Sequence, residues 1–289
     1  MSERYSVGVV CIRGIGPERG GRMQNEDNYL VCHGGRARYR GTDGEADQTV
    51  SGSAGLLAAV ADGMGGHDHG DIASGAAVQA LLRLYGRGRP AEPEQALHAF
   101  VMKAHRRLRD RARGRGAANM GTTLTACWLL DGVLSWVHVG DSRLYLLRGD
   151  RLEQVSRDHT RGEFAERDGH GQPVGAHALT QNFIFGSRGL GDDDGIRVDR
   201  GVDTGTLRLQ AGDRLLLTSD GVHGFLEEAR IQAGLGTDQA RNAARWLVEE
   251  AMAGGSDDNV TAIVVTVDAA PGREQDRDYS LWSAAVVES

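Results

Sequence analysis

Aromatic residues make up only 5% of the chain, and 289 residues contain just 5 prolines. Both shortages tell against Pro-rich or collagen-like repeats and against the stacked aromatic platforms that hold single-stranded nucleic acid. The cysteines, Cys11, Cys32 and Cys127, are odd in number and lack a Cys-x-x-Cys spacing, so neither a disulfide framework nor a zinc ribbon is expected. No apolar run approaches the ~18–20 residues of a bilayer-spanning helix; Leu56–Ala61 and Ala262–Val267 are strand-sized. Val7–Ile12 is too short, and too closely bracketed by charge, for a signal peptide. Positive charge is also in deficit, and a net charge of −7 argues against a dedicated polyanion binder. These absences predict a soluble, cytoplasmic chain with free thiols, no membrane partner and no nucleic-acid partner.

What the chain does have is a hydrophobic content of 40%, enough for a sizeable core. Short apolar runs at Val7–Ile12, Tyr29–Cys32, Leu56–Ala61, Leu124–Leu130, Val133–Val139, Leu144–Leu147, Leu215–Leu217 and Val260–Val267 predict strands. Asp131-Gly132 suits a two-residue hairpin loop, so Leu124–Leu147 reads as an antiparallel meander. Helical spacing appears at Ala73–Leu84 with Gly86 as a stop, at Leu97–Leu108 after Pro93, and at Ala240–Ala251 before Gly254-Gly255. Strands outnumber helices, which predicts an α+β fold. Gly34–Gly55 and Arg161–Asn182 read as long polar loops, and Ala269–Ser289 as a tail.

The acidic residues recur at strand ends. Leu56–Ala61 runs into Asp62-Gly63, Val133–Val139 into Gly140-Asp141, and Leu215–Leu217 into Thr218-Ser219-Asp220. Asn25-Glu26-Asp27-Asn28 precedes one strand and Asp257-Asp258-Asn259 another. Each alone is turn chemistry. Gathered at one end of a sheet they would repel one another unless cations neutralised them. Oxygen ligands without clustered Cys or His select hard ions, Mg²⁺ or Mn²⁺, and several acids with open water positions suit a two-metal hydrolytic site.

In order, the motifs Arg22-x-x-Asn25-Glu26-Asp27-Asn28, Asp62-Gly63-Met64-Gly65-Gly66-His67, Gly121-Thr122-Thr123, Val139-Gly140-Asp141-Ser142-Arg143, Ser156-Arg157-Asp158-His159-Thr160, Ser219-Asp220-Gly221-Val222 and Asp257-Asp258-Asn259-Val260-Thr261 resemble those of the metal-dependent type 2C (PPM) serine/threonine protein phosphatases, in their bacterial form. The resemblance runs from about Tyr5 to Val267. It implies a four-layer α-β-β-α sandwich with two central antiparallel sheets, a phosphatase domain over residues 1–268 with a flap at about 161–191, and a C-terminal tail at 269–289. It also implies hydrolysis of phosphoserine and phosphothreonine on proteins by a metal-bridged hydroxide, with phosphorylated proteins and an opposing serine/threonine kinase as partners.

By the same resemblance, Mn²⁺ or Mg²⁺ would be held as two ions, joined by a third in bacterial members. Asp62 would bridge the first two and the Gly63 carbonyl would bind the second. Asp220 and Asp258 would complete the first, and Asp141 would share a third ion with Asp220. Of the acidic pair Glu26 and Asp27, Asp27 is favoured as the ligand, leaving Glu26 and Asn259 as supporting or alternative groups. Arg22 would grip the substrate phosphate. Met64 stands where animal members carry a presumed general-acid His, so the proton donor stays open among groups such as His67, His69 and His159.

Three rivals remain. Cys32-x-x-Gly35-x-x-Arg38 fits the loop of cysteine-dependent phosphatases, although a polar loop follows where an apolar helix should start. The run His105–Arg115 is a basic cluster, better read as a solvated helix end. An inactive phosphatase fold used for docking would retain the architecture while lacking turnover.

Overall fold

The computed structural model describes residues 5–41, 44–50, 55–64, 70–115, 120–160, 201–237 and 239–268. The expected flap at 161–191, the tail at 269–289, and His67 and His69 lie outside the described residues.

Two antiparallel sheets form the centre. The first has five strands in the order β1 (Tyr5–Ile12), β14 (Val260–Val267), β13 (Arg214–Thr218), β10 (Arg143–Arg148) and β11 (Arg151–Gln154). The second has seven, in the order β12 (Asp203–Arg208), β9 (Val133–Val139), β8 (Leu124–Leu130), β5 (Leu56–Ala61), β2 (Asn28–His33), β3 (Arg36–Gly41) and β4 (Gly44–Thr49). A small ribbon pairs β6 (Gly63–Met64) with β7 (Gly121–Thr122). Helices α1 (Gly70–Tyr85) and α2 (Pro93–Arg115) flank the seven-stranded sheet, while α3 (Asp220–His223), α4 (Glu228–Leu235) and α5 (Ala240–Ala253) flank the other.

The layering follows from strands that are apolar on both faces. Ile263, Val265 and Val267 of β14 face the other sheet, and Val260, Ala262 and Val264 face α5. In β5, Leu56, Ala58 and Val60 meet the sheet-to-sheet core, whereas Leu57, Ala59 and Ala61 meet the core under α1. Such strands appear in sequence as continuous apolar runs because no face is left to water. The α-β-β-α sandwich is the expected architecture, and the helical stripes at Ala73–Leu84, Leu97–Leu108 and Ala240–Ala251 all lie on helices.

Two sequence expectations are corrected. Within the expected loop at Gly34–Gly55, the described residues Arg36–Gly41 and Gly44–Thr49 instead form a hairpin that extends the sheet past β2. Leu124–Leu147 is not a single meander either. β8 and β9 form the expected hairpin, with Asp131 and Gly132 both at positive φ (52° and 74°). The chain then turns at Gly140, φ 110°, and β10 joins the opposite sheet. A Cβ at Gly140 would lie 2.6 Å from the Thr123 side chain, so the crossing needs glycine. It also places Asp141 where the chain passes from one sheet to the other.

The β2–β3 turn that leads into the β3–β4 hairpin removes the cysteine-phosphatase reading. Gly34 and Gly35, with φ of 57° and 78°, close the β2–β3 turn rather than cradle an anion. Cys32 is fully buried in the core under α1, and burial pushes its thiol far above the usual range. Arg38 pairs across the sheet with Asp47 at 3.1 Å.

Candidate metal centre

Asp62 follows β5 directly, and its backbone is fixed by the Gly121–Thr123 segment. The Asp62 N–H donates to Thr123 Oγ1 (2.9 Å), while its carbonyl accepts from the Thr123 N–H (2.8 Å) and the Thr122 hydroxyl (2.9 Å). At the next residue, a Cβ on Gly63 would lie 2.2 Å from the Gly70 carbonyl oxygen and 2.6 Å from that of Glu26. Only glycine lets these three segments approach so closely.

Asp27 is 1% exposed. Its Oδ2 accepts from Ser219 Oγ at 2.7 Å and Thr261 Oγ1 at 2.6 Å, tying the residues before β2, after β13 and inside β14 to one carboxylate. Glu26 lies beside it with its backbone held by Asn259 Oδ1 (2.7 Å) and the Ser74 hydroxyl (2.6 Å). Its carboxylate meets the Gly70 N–H at the start of α1, a favourable place for negative charge. The Asn259 amide also donates to the carbonyls of Arg13 (3.0 Å) and Gln24 (2.9 Å), so its whole side chain braces the backbone of the first motif.

Asp220 opens α3, and Asp258 lies just before β14 with Arg22 Nη2 at 2.5 Å from its Oδ2. The Gly140–Ser142 turn carrying Asp141 is fastened along its length. His159 Nδ1 accepts the Gly140 N–H (3.2 Å), Thr123 Oγ1 meets Ser142 Oγ (2.7 Å), and Thr125 Oγ1 donates to the Ser142 carbonyl (2.9 Å). Arg143 then grips Asp158 through Nε (2.9 Å) and Nη2 (2.7 Å), joining the fourth and fifth motifs. His159 is fully buried, with Nε2 3.3 Å from Asp203 Oδ2.

The electrostatics show that these acids share one neighbourhood. Burial, then Asp27, Asp220, Asp141 and Asp258, raises Asp62 well above the carboxylate range. Burial pushes Asp27 up to about 7, against its two hydroxyl donors and with help from Asp220 and Asp258. Asp141 rises to about 7 through burial, Asp220 and Asp158, and Asp220 to about 6 through burial and Asp258. Glu26 is raised too, chiefly by burial. Asp158 moves the other way: burial opposes it, but the Arg143 hydrogen bonds hold it below its ordinary value.

The donor set fits hard cations. Asp27 Oδ1 and Asp220 Oδ1 are buried without a hydrogen-bond partner, the condition of oxygens built to meet an ion. As the side chains stand, no three acids, histidines or cysteines among the described residues close on one ion-sized point, and Arg22 supplies the positive charge at Asp258. The fold gathers the acids in one neighbourhood.

Sequence reasoning gave no role to Thr123, Ser219, Thr261 or His223. The first three were visible only as members of motifs, next to the acids they hold.

The family model for protein phosphatase 2C matches residues 43–253. The serine/threonine protein phosphatase PstP of Mycobacterium tuberculosis is 35% identical over 213 residues, which cover 73% of this chain and 40% of that protein. Protein phosphatase PhpP of Streptococcus pneumoniae is 30% identical over 212 residues, covering 72% of this chain and 84% of that one. A crystal structure of the PstP catalytic domain in complex with two manganese ions superposes with a TM-score of 0.71 at 30% identity, over 91% of this chain and 98% of the domain. The seven ordered motifs, the paired sheets with acids at their ends and these likenesses agree: the chain belongs to the protein phosphatase 2C family.

Proposed function

We propose that the chain is a Mn²⁺- or Mg²⁺-dependent phosphatase that hydrolyses phosphoserine and phosphothreonine on proteins, opposing a serine/threonine kinase. The observation that carries this reading is the set of mutually repelling carboxylates from separate elements, two of them with an unpartnered buried oxygen. A cluster of that charge is costly in an empty protein and useful around divalent ions.

Asp62, Asp220 and Asp258, with the Gly63 carbonyl, would hold two ions; Asp27 would face them through Oδ1, and Asp141 would hold a third ion with Asp220. When bound, such ions acidify a water to serve as nucleophile and draw off phosphoryl charge. The chain's own contribution is geometric. Thr122 and Thr123 fix the Asp62 backbone, and Ser219 and Thr261 occupy Asp27 Oδ2 so that Oδ1 points free of them. Asn259 braces the first motif, Glu26 included, a supporting role that leaves Glu26 beside Asp27.

Arg22 is half-exposed at the rim, and its planar guanidinium suits a phosphate's oxygens. Its guanidinium pairs with Asp258. A phosphoprotein substrate would draw it away, leaving that carboxylate to the ions.

No helix among the described residues is long and apolar enough to cross a membrane. The free thiols of Cys11, Cys32 and Cys127 suit a reducing cytoplasm. The deciding experiment is phosphate release from a phosphothreonine peptide with Mn²⁺ and with chelator; no release under any divalent ion would refute the activity and favour a docking role.

A further inference from the structure

The turn that carries Asp141 is fastened by two sets of bonds. Gly140 and Ser142 are held by His159, Thr123 and Thr125, through the bonds described above. The peptide of Asp141 itself is met by a different element, through His223, whose Nε2 lies 3.0 Å from the Asp141 carbonyl oxygen. A carbonyl can only accept, so Nε2 carries the hydrogen and the imidazole is the donor.

His223 is the last residue of α3, and Asp220 is the first. The short helix is in turn locked to the Ser256–Asn259 segment that carries Asp258. The Ser256 hydroxyl donates to the Gly221 carbonyl (2.8 Å), the Gly224 N–H returns to the Asp220 carbonyl (2.8 Å), and a Cβ on Gly221 would lie 1.9 Å from the Asn259 carbonyl oxygen. His223 therefore connects two rigid pieces. One carries Asp220 and the other carries Asp141, and they belong to segments 82 residues apart along the chain from His223 to Asp141.

Resting on the reading of Asp141 and Asp220 as joint ligands of a third ion, we infer that His223 is a positioning residue that sets the distance between these two carboxylates and thereby the affinity of that ion. It touches neither substrate nor metal. Its effect passes through the Asp141 peptide, as the outer partners of metal ligands commonly act, with losses of ~10–100-fold in affinity when they are removed.

The test is calorimetric titration of Mn²⁺ into the metal-free full chain, comparing wild type with Asp141→Asn, His223→Leu, His223→Asn and His223→Gln. Asp141→Asn should abolish the weakest binding event. His223→Leu should weaken that event about 10-fold while leaving the tighter ones unchanged. His223→Gln, whose amide nitrogen reaches as far as Nε2, should restore it, and His223→Asn, whose shorter amide does not, should behave like Leu. A folded His223→Leu or His223→Asn with the wild-type isotherm, beside an Asp141→Asn that has lost the weak event, would overturn the positioning role alone. An Asp141→Asn isotherm identical to wild type would instead overturn the assignment of Asp141, and the inference with it. Should the Leu variant fail to fold, the Asn and Gln pair decides by itself.

Discussion

Asp141→Asn should make the metal-free protein more stable above neutral pH. The carboxyl rises from an ordinary 3.8 to about 7, first because it is buried and then because Asp220 and Asp158 face it. A folded-state value above the unfolded one means that the native chain holds the extra proton between them. The stability tied to that proton is fully present below about pH 4 and is lost as the pH climbs through about 7. At about 1.4 kcal/mol per pH unit, the ceiling is about 4 kcal/mol. The side chain keeps some solvent contact, so screening reduces the expected gain to about 2 kcal/mol. Asparagine removes the charge while keeping the size and one carbonyl oxygen. Urea unfolding in chelator should therefore find the variant about 2 kcal/mol more stable than wild type at pH 8, with the gap narrowing toward pH 5. Saturating Mn²⁺ should reverse the order, because wild type gains more from an ion that binds only the folded state. A variant less stable than wild type at pH 8 in chelator, or a gap that does not change with pH, would refute the account of Asp141 as a repelled carboxylate.

Phosphate release from a phosphothreonine peptide should stop in chelator and return with Mn²⁺ or Mg²⁺, and Asp62→Asn should abolish it while the circular dichroism spectrum persists; full turnover in excess chelator would contradict the metal centre. Cys32→Ser should keep near-normal turnover, since the thiol is buried in the core under α1 and is held far from ionisation. Loss of activity in a folded Cys32→Ser enzyme would revive thiolate chemistry. Arg22→Ala should raise KM and lower turnover by about 10²–10³-fold, the loss typical of removing one charge-stabilising donor; steady-state kinetics with both constants unchanged would remove Arg22 from the phosphate site. Gly63→Ala should cost about 1–3 kcal/mol by overpacking, because its Cβ would collide with the Gly70 and Glu26 carbonyls. A melting temperature equal to wild type would show that the Asp62–Gly63 turn is looser than its contacts indicate.

The parts of this fold that sequence revealed are those that face a core. β5 and β14 are buried on both sides and appear as uninterrupted apolar runs, and α5 presents one apolar stripe to β1 and β14. The β3–β4 hairpin was hidden because its outer strand lies at the sheet edge with nearly every residue exposed, so no apolar alternation marks it. The Gly34-Gly35 turn that leads from β2 into β3 was the available signal, masked by the polar residues around it. The departure of β10 to the opposite sheet was hidden for a different reason. A hairpin and a crossing both begin with a turn, and the distinction lies in a glycine at φ 110° against Thr123. The acids were legible because each interrupts an apolar run, a contrast that a single sequence displays. Their supports were not, since Ser219 and Thr261 reach Asp27 across separations of 192 and 234 residues, and a serine or threonine beside a strand has ordinary uses everywhere. Yet the hydroxyls determine what the acid can do. By taking Oδ2 of Asp27 they leave Oδ1 as the unpartnered oxygen, and the Gly121–Thr123 segment fixes the backbone from which the Asp62 carboxylate projects. The chemistry is written in the carboxylates, and for Asp27 the oxygen that is left to act is set by two neutral hydroxyls delivered from the other sheet.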